Sequence, residues 1–316
     1  MSTTPWKPLV TIAIPTYNRA EKFLPIALRS ACQQTYENLD IFVSDNCSHD
    51  QTGTLVASFA DPRIRYHRHT SNIGAAKNVN FCVEQSRGEY TLLLMDDDAI
   101  DDDFVAACVN AARTKPDAGL IRSGARVVNG NGETTYESPN LVVGLNFTEF
   151  VLGWTEGKTA PYLCSTLFRT TPLQQIGMHS KHHLWVDVIT ELTIASRHGR
   201  VDIPDIKASF CMHHGELTVG ASIEEWCEDS VQLLDLACEL ASSDKAMLRE
   251  RLTPYLATLM YRVALRLNKP WPARLAACFT VKKALGTPPD SDVVREALRQ
   301  IAWYKRLKQG LGRSSA

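Results

Sequence analysis

No CxxC pair occurs in this sequence, no apolar run approaches the ~20 residues that span a bilayer, and neither sign of charge dominates. Its nine cysteines stand singly, several in apolar stretches such as "FCVEQ" and "VAACVNAA". That pattern points to packed thiols in a reducing compartment rather than to a disulfide framework. The opening "MSTTPWKPLVTIAIP" lacks the charged segment that precedes the apolar run of a secretory leader. The expectation is a cytoplasmic protein that meets a membrane, if at all, from its surface at the inner face. A net charge of -1 without a long cationic stripe in the body of the chain removes the usual grounds for nucleic acid as a partner. Any bound anion must be met by a local site.

What is present is a βαβ rhythm. The β-rich run "LVTIAI" stops at Pro15 and is followed by the polar turn "PTYNRA" and the helical pattern "EKFLPIALRSACQQ". A second apolar run, "LDIFVSD", ends in Asp45 and leads through "NCSHDQTG" to the helix "TLVASFA". A third, "IRYHRH", precedes "TSNIGAAKNVNFCVEQS"; its His67 and His69 read as sheet-surface residues. Gly88 then fits the left-handed position that ends a helix, and "EYTLLLM" reads as a parallel strand covered on both faces. "LIRSGARVV", "NGNGE" and "TTYES" form a hairpin pattern with an Asn-Gly turn, so the sheet becomes mixed in its second half. From about Ile223 the pattern is helical, interrupted at Pro254, "NKPWP" and "GTPPDS". These features predict an α/β domain over residues 1–220 and a helical C-terminal region over 221–316, which would pack on that domain or on a second subunit.

The stretch "LLLMDDDAIDDDF" places three aspartates at the end of an apolar strand and three more two residues later. In an open α/β sheet, ligands collect beyond the carboxyl ends of strands, where Asp45 and Asp96, Asp97 and Asp98 all fall. Adjacent carboxylates raise one another's pKa unless a cation or hydrogen-bond donors neutralise them. Mg²⁺ or Mn²⁺, held by Asp96 and Asp98 together with a substrate diphosphate, is one resolution. A solvated turn with capping duties is the other. Capping is the expected role of Asp101, Asp102 and Asp103, which precede the helix "FVAACVNAARTK".

Taken in order, "VTIAIPTYNRAEKFLPIALRSACQQTYENLDIFVSDNCSHDQT" and "NIGAAKNVNFCVEQSRGEYTLLLMDDD" resemble the family 2 glycosyltransferases, inverting enzymes of the GT-A fold. The resemblance covers roughly residues 10–104 and continues more weakly to about 218. "LLLMDDDAI" is most similar to the branch of abequosyltransferase-like O-antigen enzymes. The resemblance implies a Rossmann-like, mostly parallel mixed sheet flanked by helices, with a nucleotide-sugar half at about 8–104 and an acceptor half at about 105–220. It implies a metal-dependent enzyme that moves a sugar from a nucleoside-diphosphate sugar to a hydroxyl of a saccharide or lipid-linked saccharide. The setting it implies is bacterial surface polysaccharide or glycoconjugate synthesis.

By the same resemblance Pro15, Thr16, Tyr17 and Arg19 line the base and diphosphate pocket; Tyr17 offers a stacking face and Arg19 a fixed charge. Asp45 matches a carboxylate that accepts a hydrogen bond from a pyrimidine ring, with Asn46 and Asp50 as loop neighbours. Asn72, Gly74 and Lys77 fall beside the donor, Lys77 keeping the charge but not the fork of the arginine common nearby. Asp96 would touch ribose or metal, Asp97 the sugar or a structural partner, and Asp98 the metal-bridged diphosphate. Either His213 or His214, the latter better aligned, would reach metal or phosphate; two solvent-facing histidines are the alternative. The base is usually taken from a Glu-Asp pair; Val186 stands at the glutamate position, leaving Asp187 as the candidate and Glu191, at i+4, as the reserve or an acceptor-orienting group.

The acceptor side is less legible. Trp154, Tyr162 and Trp185 are candidates for sugar stacking or ordinary core aromatics, and His179, His182 and His183 read as loop. Residues 301–313 combine Lys305, Arg306, Lys308 and Arg313 with Ile301, Trp303, Tyr304 and Leu307, which fits an anionic membrane surface or a solvated basic tail. Two other functions share part of this pattern. A nucleotidyltransferase would open with a glycine-rich loop, and "IPTYNRAEKF" has no glycine. A sugar-nucleotide-binding scaffold that has lost its base is kept open by the missing glutamate before Asp187.

Overall fold

The computed structural model describes residues 6–213 and 220–311, with 302–311 as backbone alone. The chain divides into two compact units, residues 1–216 and 217–316. In chain order the first unit begins with β1 (Val10–Thr16), α1 (Leu24–Cys32), β2 (Leu39–Asp45), α2 (Thr52–Ser58), β3 (Ile64–Arg68), α3 (Ala75–Gln85) and β4 (Tyr90–Leu93). It continues with β5 (Ala99–Ile100), α4 (Phe104–Ala112), β6 (Leu120–Asn129), β7 (Thr134–Ser138), α5 (Phe147–Thr155), β8 (Thr166–Arg169), α6 (Thr170–Ile176), α7 (Val186–His198) and β9 (Arg200–Met212). The second unit holds α8 (Ile223–Leu240), α9 (Lys245–Arg266), α10 (Trp271–Leu285) and α11 (Ser291–Leu311).

All seven residues of β1 are buried because the strand is central and covered on both faces, which suits its largely apolar character. It pairs in parallel with β2 on one side and β4 on the other, and β3 extends the parallel set beyond β2. The sheet runs β3-β2-β1-β4-β8-β6-β9-β5, with β7 on β6. β8 enters antiparallel to both β4 and β6, so the second half is mixed. This is the curled, mostly parallel sheet flanked by helices that the GT-A resemblance implies. Leu24, Ala27 and Leu28 of α1 and Phe104, Val105 and Cys108 of α4 join Ile12, Ile14 and Leu92 in one apolar core.

Three local expectations are corrected. Gly88 is not a left-handed helix end: α3 stops at Ser86, whose backbone is extended, and a Cβ on Gly88 would meet Thr11 N and Tyr90 O at 2.6 Å. The glycine is needed for close backbone approach. Asp103 occupies the N-cap of α4 without a side-chain cap bond. The second triplet instead makes ion pairs, Asp101 with Arg126 at 2.7 Å and Asp103 with Lys207 at 2.7 Å. Pro254 does not interrupt the helix but lies inside α9, where buried Leu248, Leu252, Leu256 and Met260 continue one packed stripe across it. Packing of that stripe outweighs the backbone bond a proline removes. The hairpin turn is closed by Gly132 N donating to Asn129 O, with Gly132 at φ 83.

Candidate active site

The order β2-β1-β4 puts successive crossovers on opposite sides of β1, so a crevice opens beyond the carboxyl ends of β1 and β4. The loop after β1 is stitched to the loop after β2. Asn18 N donates to Ser48 Oγ, His49 N returns a bond to Asn18 Oδ1, and Ala20 N donates to Asp50 Oδ2. Asn18 and Cys47 hold left-handed backbone conformations, at φ 54 and 65. Such conformations cost energy and persist where surrounding contacts enforce them. The result fixes Tyr17, 39% exposed, and Arg19 at the crevice mouth, while Pro15 and Thr16 stay buried as its floor.

The acidic triplet divides into three roles. Tyr17 N donates to Asp96 Oδ2 at 3.4 Å, and burial with the Asp97 charge pushes the Asp96 carboxyl up to about 6 against the pull of Thr16 and Arg19. Asp97, with 19% of its side chain exposed, lies 2.8 Å from His213 Nε2. The His213 ring stacks on Phe23 at 4.5 Å, and the Arg19 guanidinium and Lys22 ammonium lie over the same phenyl ring. Asp98 is only 2% exposed; it accepts from Cys211 N at 2.9 Å and touches the buried Cys164 thiol, and its carboxyl is pushed well above the usual range, first by burial and then by Asp97. Of the expected pair of metal ligands, Asp96 is part-exposed, as is its neighbour Asp97, whereas Asp98 is buried and turned to the β9 backbone.

Among the described residues no three His, Cys, Asp or Glu side chains form a metal cage of their own. Two oxygen-donor carboxylates on one rim suit a hard divalent cation that completes its shell with water and phosphate. His214 lies outside the described residues; of the histidine pair, His213 is the one seen at the triplet.

On the β2 side, Asp45 is wholly buried. Its Oδ1 accepts from Ser48 N at 2.8 Å and its Oδ2 from the Tyr66 hydroxyl at 2.5 Å, so a nucleotide base reaches it only by displacing Tyr66. Asn46 and Asn72 form a reciprocal clamp, Asn46 Nδ2 donating to Asn72 Oδ1 and Ile73 N donating to Asn46 Oδ1. That clamp positions Gly74, whose φ of 87 opens α3. Lys77 is exposed on the first turn of that helix.

Asp187 sits partly buried in the first turn of α7, which follows Trp185, and the Trp185 and Trp154 rings meet edge to face at 5.8 Å. Burial, with a smaller contribution from Glu191, pushes its carboxyl up to about 7. No described contact joins it to the acidic triplet. Glu191 does not face solvent at all: it is 1% exposed, accepts from Thr166 Oγ1 at 2.8 Å and lies 3.0 Å from Arg122 Nε. The reserve-base expectation for Glu191 is thereby corrected, because a carboxylate locked to a buried guanidinium cannot reach an acceptor. Tyr162 stacks on Phe210 at 4.4 Å, and His67 and His69 pack on Phe81.

Sequence reasoning missed Arg122, Phe23 and Cys164. Arg122 gave one usable signal, an arginine within the strand run "LIRSG", where a buried charge demands a partner.

The family model described as Glycosyl transferase family 2 matches residues 11–177, just over half of the chain. The Escherichia coli K12 glycosyl transferase WcaA, named for colanic acid biosynthesis, is 34% identical over 93 residues, 29% of this chain and 33% of that protein. The Staphylococcus aureus TarS 1-349 structure in complex with UDP-GlcNAc superposes with a TM-score of 0.60 at 16% identity, covering 88% of each chain. The mannosyltransferase PcManGT of Pyrobaculum calidifontis, in complex with GDP-Man and Mn²⁺, gives 0.58 at 19% identity over 96% of this chain and 81% of that one. The chain spans about half or less of the length of the curated relatives it matches first.

Proposed function

This chain belongs to glycosyl transferase family 2, and from that membership and the crevice geometry we propose an inverting transfer of a sugar from a nucleoside-diphosphate sugar to an acceptor hydroxyl. The observation that carries this reading is the Asp96 and Asp97 rim set against Tyr17 and Arg19 at the switch point of the sheet. The ligands in the TarS and PcManGT structures, a nucleotide sugar in each and Mn²⁺ in one, support it.

In this proposal Asp96 and Asp97 hold Mn²⁺ or Mg²⁺, with His213 orienting Asp97. The ion would supply positive charge to the departing diphosphate. Tyr17 stacks on the base, Asn72 and Gly74 shape the ribose side, and Arg19 and Lys77 bring positive charge to the phosphates. Asp187 takes the proton of the acceptor hydroxyl as that oxygen attacks the anomeric carbon from the face opposite the diphosphate. A carboxyl poised near 7 is matched to that task.

The acceptor in this reading is a saccharide or lipid-linked saccharide of a surface polysaccharide, for which the WcaA likeness is the support. A cytoplasmic placement beside the membrane, through residues 301–313, belongs to the same proposal; among the described residues no helix is long and apolar enough to cross a membrane. The test is release of nucleoside diphosphate from a panel of nucleotide sugars and acceptors. Wild type should turn over at least one pair with Mn²⁺, and D187N should bind the donor yet not transfer. Donor binding by wild type with no transfer to any acceptor would favour the scaffold alternative.

A further inference from the structure

Residues 262–286 contain Arg262, Arg266, Lys269, Arg274, Lys282 and Lys283 and no acidic residue. Most of this span is α10, which buries Ala277, Val281 and Leu285, spaced four apart, where it packs on α8 and α9. Its outer face carries Leu275 at 41% and Phe279 at 71% exposure, the latter the most exposed large apolar side chain among the described residues. Lys282 and Lys283, both exposed, follow at i+3 and i+4 from Phe279 and so extend the same face. Apolar residues thus stand on both faces of the helix, and those on the outer face are bordered by cations rather than replaced by polar residues as on an ordinary surface helix.

Not every cation is available. Arg274 bonds Leu265 O, Lys269 O and Gln300 Oε1 as a brace, and Arg262 lies near Asp290. Glu224 of α8 reaches Thr280 at 3.4 Å on the flank. Arg266, Lys269, Lys282 and Lys283 remain exposed.

We propose that the outer face of α10 docks on a bilayer containing anionic phospholipid. Leu275 and Phe279 enter the boundary between headgroups and acyl chains, while Lys282 and Lys283 meet headgroup phosphates. Charge decides between occupants. A second copy would bring cations against cations across the same face, whereas an anionic leaflet complements both the stripe and its border. The inference does not depend on the catalytic reading and uses none of residues 301–313.

The experiment is co-sedimentation of the full chain with vesicles of phosphatidylcholine, with and without phosphatidylglycerol. Wild type should bind only the phosphatidylglycerol vesicles and be released by salt. K282A/K283A should weaken that binding about 25-fold, at roughly fivefold for each lysine near an anionic surface. F279D and L275D should each weaken it about tenfold or more by removing the inserted group. These side chains are exposed, so thermal unfolding should match wild type; F279D and L275D lie on successive turns, and agreement between them separates docking from local damage. Wild type failing to bind anionic vesicles overturns the proposal. So does binding that survives all three α10 variants but is lost in K305A/R306A, and so does self-association relieved by F279D without vesicle binding.

Discussion

Arg122 Nε stands 3.0 Å from Glu191 Oε2, and neither side chain is more than 1% exposed. The two atoms are close without the alignment of a hydrogen bond. Arg122 also donates to Thr159 Oγ1 and Ala160 O, and its guanidinium shares the Phe150 ring with that of Arg200, which pairs with Asp202 at 2.8 Å. This buried set joins α7, which carries Asp187, to β6 and β9.

Removing one member leaves the other charge in a low-dielectric interior, which costs about 3–5 kcal/mol. R122M should therefore lose about that much stability in urea unfolding, and R122M/E191L should recover most of it. Near-wild-type stability of R122M would contradict the account of this pair.

Asp187 and Glu191 separate in kinetics. D187N should lower kcat by about 10²–10⁴, while E191Q should act mainly through stability, leaving turnover per folded molecule close to wild type. Wild-type turnover should rise with pH through about 7 as Asp187 loses its proton. Abolished turnover in a well-folded E191Q would restore Glu191 as the base.

Asp187 also has a stability signature. The folded chain holds its proton to about 7, against an ordinary value of 3.8, so stability from this group is full below 3.8 and lost as pH rises toward 7. The melting temperature of D187N should exceed that of wild type at pH 8 and equal it near pH 3. A constant difference across that range would mean that Asp187 is not held protonated.

The sequence showed the strands well because β1, β2 and β4 are almost wholly buried and read as short, largely apolar runs. It showed which strand ends carry Asp45 and the aspartate triplet. It could not show which way each of three adjacent aspartates turns, since that depends on Cys211 N and Cys164, more than sixty residues away in sequence. Glu191 misled for the same reason: at i+4 from Asp187 it shares a helix face on paper, but Arg122 claims it from strand β6. Pro254 and Gly88 misled because packing and close approach override local propensity.

Tyr66 guards Asp45. Y66F should cost about 1–3 kcal/mol by leaving a buried carboxylate less satisfied. A nucleotide that displaces this hydroxyl should bind Y66F at least as tightly as wild type, and isothermal titration of both proteins measures it. Much weaker binding to Y66F would show that the hydroxyl itself contacts the nucleotide.

The most direct test of the crevice is thermal stabilisation of the purified chain by nucleoside diphosphates with and without Mn²⁺, in wild type, D97N and D98N. A ligand at about 100 times its Kd adds about 2.7 kcal/mol to the folded state. One nucleotide should stabilise wild type strongly with Mn²⁺, D97N should lose that metal-dependent gain, and D98N, whose side chain is 2% exposed and accepts from the β9 backbone, should keep it. No stabilisation by any nucleotide, or loss in D98N with retention in D97N, would contradict the assignment of Asp96 and Asp97 as the metal-facing pair.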